Sequence, residues 1–422
     1  MGALYQAGKV NKALIVCPLS ITGVWCEEMN KFADFDFVVA KLEGSSTKKI
    51  DTLRHMQGSP IQVAIINYES AWRLEKQLLE FDADIIVADE SHKIKSNKTK
   101  QSKALHKLGA KARYKMMLTG TVITNKALDV FSQYKFIDPT VFGQSYYVFR
   151  NRYFNMTGYG NHTPVLKRFM ERELTDRLHS IAFRVTKAEC LDLPEVTDIV
   201  RYVDLEDGTM RIYTDLVRDS FAELAGEEIS VTNILVRILR LSQITGGFIS
   251  TDESETIKCI SKAKLDTLED IVDGALNEDK KIVVIARFVE EIKAICKLLE
   301  KKKILYSLIM GGVKDRDDQV EQFQNDPNVQ VFVGQIATAG LGITLTAAST
   351  MVFYSMDYSM SNFEQTKARI HRVGQKENCS YIYLIARGTV DDMILKALQT
   401  KADLARSLVD DYKGGVNPFM EV

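Results

Sequence analysis

A chain of 422 residues with 45% apolar and 26% charged side chains has material for two or three domains of roughly 150 residues each, so core volume is not limiting. The formal net charge of −1 excludes a global basic field, and any nucleic-acid contact has to come from local patches. Lys93, Lys95, Lys98, Lys100 and Lys103 form one such patch, for which a solvated surface is the bland alternative. Six cysteines without a close CxxC pair argue against a zinc site or a disulfide framework and for a reducing compartment. No stretch approaches the roughly 20 apolar residues of a membrane span, and the N-terminus lacks the apolar core of a secretory signal. A cytoplasmic location is expected.

In chain order, Ala13–Cys17, Gln62–Ile66, Asp84–Ala88 and Tyr114–Leu118 read as buried strands. Helical patterns fall between them, near 21–32, 69–79, 101–109 and 125–137. This alternation predicts a parallel sheet covered on both faces. From about 141 to 260 the character changes to aromatic and charged residues such as Tyr146, Tyr147, Phe149, Tyr153 and Phe154. Within it, Val231 to Ser242 carries apolar residues at helical spacing. We expect helical insertions there. A second alternating block, 261–422, offers strands at Lys281–Ala286, Ile304–Leu308, Val329–Val333, Thr350–Tyr354 and Tyr381–Ile385, then a closing helix over Val390–Val409. The fold class expected is α/β, with lobes over 1–140 and 261–422.

Four elements carry chemistry. Asp89-Glu90-Ser91-His92 follows an apolar run, which places an acidic pair at the C-terminal end of a strand, where ligands bind in open α/β sheets. One carboxylate can hold Mg²⁺ together with phosphate oxygens and water, and its neighbour can activate an attacking water. A polar strand end with chance charges is the bland alternative. Thr119-Gly120-Thr121 follows the next strand; alone it is also ordinary turn chemistry. Gln335 to Ala348 contains Gly340, Gly342 and Thr344, small residues that let backbone approach phosphates. Finally, Gln365-Thr-Lys-Ala-Arg369-Ile-His371-Arg372-Val-Gly374-Gln375 spaces two arginines three apart. On a helix they would share a face and could clamp a γ-phosphate. A salt-bridged surface helix would explain the arginines but not Gln365, His371 and the Gly-Gln ending together.

With these elements in this order, the sequence resembles the Swi/Snf-type family of superfamily-two helicase-like ATPases, and within it the compact members of bacteria and bacteriophages. Further matches are Ala13 to Ser20 with Trp25, Ile66-Asn67-Tyr68-Glu69, and Leu239 to Gly247. The resemblance implies two tandem RecA-like lobes, ATP and Mg²⁺ as cofactors, and double-stranded DNA as partner. It implies a motor that tracks along duplex DNA without separating its strands, in a bacterial or phage-infected cell. Position by position, Asp89 would bind Mg²⁺ and Glu90 would activate water. Arg369 and Arg372, with Gln365 in the same motif, would serve the γ-phosphate. His92, Thr119 and Thr121 would couple the nucleotide to DNA, and Ser20, Asn125, Gly342 and Thr344 would touch the DNA backbone. The acidic motif and the arginine motif would face one another across a cleft.

The sequence departs from the family pattern at three places. Val122 stands where Pro is usual, and Asp357-Tyr358-Ser359-Met360 replaces Asp-Trp-Asn-Pro. The third departure concerns the phosphate loop. Gly8-Lys9-Val10 lacks the upstream glycine and the Ser/Thr of a Gly-x-Gly-Lys-Thr loop, and we expect an N-terminally truncated chain with impaired turnover. A catalytically silent DNA- or partner-binding module is the competing expectation. A strand-separating RNA helicase is a third, disfavoured by the Arg-Val-Gly-Gln ending.

Overall fold

The computed structural model describes residues 1–56, 61–120, 122–123, 126–157, 163–185, 191–224, 231–250, 257–313, 315–339 and 342–405. The chain divides into two units, Met1–Arg184 with Lys401–Val422, and Val185–Thr400.

The first unit is built on five strands, β1 (Lys12–Cys17), β2 (Phe37–Lys41), β3 (Ile61–Asn67), β4 (Ile85–Asp89) and β5 (Tyr114–Leu118), in the order β2-β3-β1-β4-β5. Every pair is parallel. The sheet is buried on both faces, which is why its central strands read as unbroken apolar runs. Leu14, Val16, Ala64, Ile66, Ile86 and Ala88 pack towards Leu53, Leu78, Leu105 and Leu108. Alternate residues Ala13, Ile15, Val63, Ile65 and Val87 pack on the other side with Met29. The expected strands are all present. The edge strand β2 and the helix Ser46–His55 were not expected. β2 is only half-buried, and the helix buries Leu53 alone, so neither shows a strong apolar period. The Ser45 hydroxyl caps that helix by accepting from Lys48 N at 3.2 Å.

The boundary between the two units falls within the stretch 141–260, after Arg184. The aromatic stretch packs Phe142, Phe149, Tyr153 and Phe154 against Phe131, Tyr134, Leu174 and Leu178, which ties residues up to Arg184 to the first unit. It carries a small antiparallel pair, β6 (Phe154–Thr157) and β7 (Thr163–Leu166). Beyond it, β8 (Val196–Val203) pairs in parallel with a strand of the second sheet over eight residues. β8 escapes a pattern reading because seven of its eight residues are exposed and Asp198 and Arg201 interrupt its apolar positions.

The second unit adds an antiparallel pair, β9 (Phe248–Ser250) and β10 (Ile257–Cys259). Its main sheet holds β11 (Lys281–Ala286), β12 (Leu305–Ile309), β13 (Val329–Gln335), β14 (Ala348–Phe353) and β15 (Cys379–Ala386), in the order β12-β13-β11-β14-β15-β8. This sheet is also wholly parallel. The helix Val231–Thr245 lies where expected, and the last helix runs Val390–Ala405. An α/β fold with two parallel sheets flanked by helices is therefore what the chain adopts. Among the described residues no helix is long and apolar enough to cross a membrane.

Candidate functional site: two polar centres

In the five-stranded sheet of the first unit all strands run the same way, so their C-terminal ends share one edge. Ser20 in the turn after β1, Tyr68 directly after β3, Asp89 closing β4 and Thr119 following β5 lie along that edge. Asp89 stands opposite Leu118 in the β4–β5 register, which brings Thr119 beside the acidic pair.

Asp89 is held from three directions. Trp25 Nε1 donates to Asp89 Oδ2 at 2.8 Å and the Glu90 amide to Oδ1 at 2.9 Å. The Tyr68 hydroxyl donates to the Asp89 carbonyl at 2.7 Å. Burial raises the Asp89 carboxyl above its ordinary value; the Trp25 bond opposes this, and the negative Glu90 adds to it. The same burial pushes the Tyr68 phenol well up. A cation arriving at Asp89 would relieve both the desolvation and the like-charge repulsion. Among the described residues no cluster of three or more His, Cys, Asp or Glu could cage a metal. Asp89, a single carboxylate at the strand end, is the residue here that could hold a cation such as Mg²⁺, with phosphate and water completing its shell.

Glu90 takes a left-handed backbone, φ 52°, uncommon for a residue with a side chain. Its Oε2 lies 3.2 Å from His92 Nδ1. Between them, the fully buried Ser91 donates to Gln133 Oε1 at 2.8 Å. Gln133, also fully buried, donates through Nε2 to the carbonyls of Val122 and Asp129 at 2.8 and 3.0 Å. This relay joins the acidic motif to the loop after Thr119-Gly120. The sequence reading missed it; its signal was a lone amide among Val130, Phe131, Tyr134 and Phe136. Thr121 and Asn125 lie outside the described residues. Ser20 is exposed. In the lysine run, Lys93, Lys98, Lys100 and Lys103 are exposed, and Lys95, half-buried, has its ammonium pulled below the usual lysine range by desolvation.

In the second unit the arginine motif corrects one expectation. The helix Met360–Lys367 ends before Arg369, and residues 368–374 form turns. The two arginines therefore do not share a helix face. They converge all the same: Arg369 Nη1 and Arg372 Nη1 each donate to the Ile343 carbonyl at 3.1 Å. That carbonyl lies between Gly342, whose φ of 69° suits only glycine well, and Thr344. Arg369 Nε also bonds the Gln365 carbonyl at 2.7 Å, and the Arg369 carbonyl accepts from Leu345 N at 2.9 Å. Gln375 is buried and donates to the carbonyls of Ala348 and Ile370 at 2.8 and 3.1 Å. The Gly-Gln ending is thus a structural brace between the two glycine- and arginine-bearing segments. Gly340 lies outside the described residues.

The "SNF2-related domain" family model matches residues 3–246, and the "Helicase conserved C-terminal domain" model matches 263–374. Among similar curated proteins, the DNA repair and recombination protein RDH54 of Saccharomyces cerevisiae is 25% identical over 435 residues, covering 96% of this chain and 47% of the relative. A DNA repair and recombination protein RAD54-like of Drosophila mojavensis is 26% identical over 462 residues, with 97% and 57% covered. A homologue of the SWI/SNF-related matrix-associated actin-dependent regulator of chromatin subfamily A-like protein 1 in Caenorhabditis elegans is 28% identical over 406 residues, with 93% and 54% covered. The chain spans about half the length of the curated relatives it matches. A solved Sulfolobus solfataricus SWI2/SNF2 ATPase core in complex with dsDNA aligns at TM-score 0.42 and 26% identity, over 96% of this chain and 84% of that one. With the first model matching more than half of its residues, this chain belongs to the SNF2-related family.

Proposed function

We propose that the chain is the motor core of an ATP-driven translocase acting on double-stranded DNA, of the compact bacterial or bacteriophage kind. One observation carries the reading. An acidic pair closes β4 at the ligand-binding edge of a parallel sheet, with Asp89 gripped by Trp25, Tyr68 and the Glu90 amide. The Glu90 carboxylate takes no part in that grip and lies next to His92. Asp89 suits Mg²⁺, and Glu90 suits proton acceptance from water. Arg369 and Arg372 would supply positive charge to the γ-phosphate, and Ser20, Gly342 and Thr344 would meet the DNA backbone. The names of the repair and recombination relatives agree with work on DNA.

The 422 residues contain no Gly-x-Gly-Lys-Thr loop, which supplies amide donors and a lysine to the phosphates in such motors. These residues alone should therefore turn ATP over poorly. The test is phosphate release with and without duplex DNA, for the 422-residue chain and for a chain preceded by a segment that bears the loop. Weak turnover in the first and DNA-stimulated turnover in the second support the reading. Brisk turnover by the 422 residues alone overturns the argument about the loop. Duplex binding without turnover in either form favours a silent DNA-binding module.

A further inference from the structure

Lys367 closes the helix that precedes the two arginines, and both ends of the residue are tied down. Its ammonium lies 2.7 Å from Asp198 Oδ1 and faces three rings, with Tyr381 at 4.4 Å, Phe363 at 5.4 Å and Tyr383 at 5.9 Å to the centroids. Its carbonyl accepts from the Tyr381 hydroxyl at 2.7 Å. The Tyr383 hydroxyl donates to the same Asp198 oxygen, and Phe353 stacks on Tyr383 from behind. The Lys367 side chain is only 17% exposed. A lysine enclosed in this way loses rotamer freedom and gains cation–π and charge-assisted contacts, so the end of the helix is fixed in place. A surface salt bridge would need neither the rings nor the second tie.

The clamp is anchored outside the arginine motif. Asp198 belongs to β8, and the segment leading into β8 touches the motif again, where His371 Nε2 bonds the Pro194 carbonyl at 2.9 Å. Downstream of the clamp, Arg369 N bonds the Thr366 carbonyl at 3.0 Å, and the Arg369 side chain reaches back to Gln365 and across to Ile343. Any movement of Lys367 would thus be passed through Ala368 to Arg369 and on to the Ile343–Leu345 segment.

We propose that Lys367, clamped by Asp198, Tyr381, Phe363 and Tyr383, is a positioning residue that sets where Arg369 and Arg372 stand. The proposal rests on the reading that those arginines serve ATP hydrolysis. It is tested first by hydrogen exchange of the 422-residue chain, without nucleotide. In Lys367→Met, the Leu345 amide that bonds the Arg369 carbonyl should exchange about tenfold faster or more, while β15 amides keep their protection. Lys367→Arg should stay within about threefold of the original, because a guanidinium can also meet rings and a carboxylate. Unchanged exchange at Leu345 in Lys367→Met overturns the proposal. If β15 loses protection as well, Asp198→Asn decides: faster exchange at Leu345 over an intact β15 supports it, and no change overturns it.

The second readout uses whichever form of the protein hydrolyses ATP under DNA stimulation. Lys367→Met should lower kcat about tenfold or more with KM for ATP within about twofold, and Lys367→Arg should recover most of the loss. An unchanged kcat overturns the positioning role. If no form hydrolyses ATP, the proposed function fails, while the exchange experiment still judges the clamp.

Discussion

Replacing Gln133 with Leu tests whether the acidic motif is braced as described. Gln133 and Ser91 are both fully buried, so no water can take over the bonds that are lost. The substitution orphans the Ser91 hydroxyl, 2.8 Å from Gln133 Oε1, and removes a donor from the carbonyls of Val122 and Asp129. An orphaned buried polar group costs about 1–3 kcal/mol. The hydroxyl bears that in full, the two loop carbonyls bear less because the loop can shift, and the new apolar contacts of Leu offset part of the sum. The expected loss is about 3 kcal/mol. Urea unfolding, followed by a probe within Met1–Arg184, reads it. Ser91→Ala alone should cost about 1–2 kcal/mol, because it leaves only Gln133 Oε1 unmet. The double variant should be less destabilised than the sum by about 1 kcal/mol or more, since it removes both halves of one bond. A Gln133→Leu chain within about 0.5 kcal/mol of the original, or strictly additive effects, would refute the relay.

Three further expectations follow the same logic. Lys264 and Asp391 form an ion pair at 2.6 Å with side chains 2% and 8% exposed, and Thr245 also donates to that Asp391; Lys264→Met should destabilise the second unit by about 3–5 kcal/mol in denaturant titration, and a loss under about 1 kcal/mol would count against a dry, intact pair. Glu291 is fully buried and burial raises its carboxyl above the usual range, against bonds from Ser355, Phe288 N and Arg287 N. A raised folded value means that its contribution is whole below the ordinary 4.5 and is lost as pH rises through the folded value. The original chain should therefore lose stability relative to Glu291→Gln as pH climbs from 4.5, and a pH-independent difference would refute this. In a loop-bearing form, Glu90→Gln should stop hydrolysis while ATP still binds, and Arg372→Ala should lower turnover roughly 10³-fold; phosphate-release kinetics beside a nucleotide-binding titration separates the two effects.

The parts of the site that depend on adjacency in the chain were legible beforehand. Asp89 and Glu90 were placed at a strand end because the run Ile85–Ala88 has one sensible reading in a doubly covered sheet. The paired arginines stood out by their spacing together with Gln365, His371 and the Gly-Gln ending, but the helix face expected for them is absent, and the structure brings them together through a turn onto the Ile343 carbonyl. Contacts between distant segments were not legible. Trp25 on Asp89 spans 64 positions, Ser91 on Gln133 spans 42, and Asp198 on Lys367 spans 169. No local period or propensity records which polar group a buried hydroxyl or ammonium will meet.

The sequence by itself determined the alternation of strands and helices, the burial of both sheets on two faces, and the residue types at the acidic and arginine motifs, because hydrophobic period and strand-end chemistry act over a few neighbouring positions. Only the tertiary structure decided that the aromatic stretch belongs to the first unit, that β8 completes the second sheet, and that Gln133 and Lys367 brace the two polar centres. Those outcomes turn on which buried polar groups find partners once the chain has closed, and a buried group has to be satisfied by whatever the fold brings within reach.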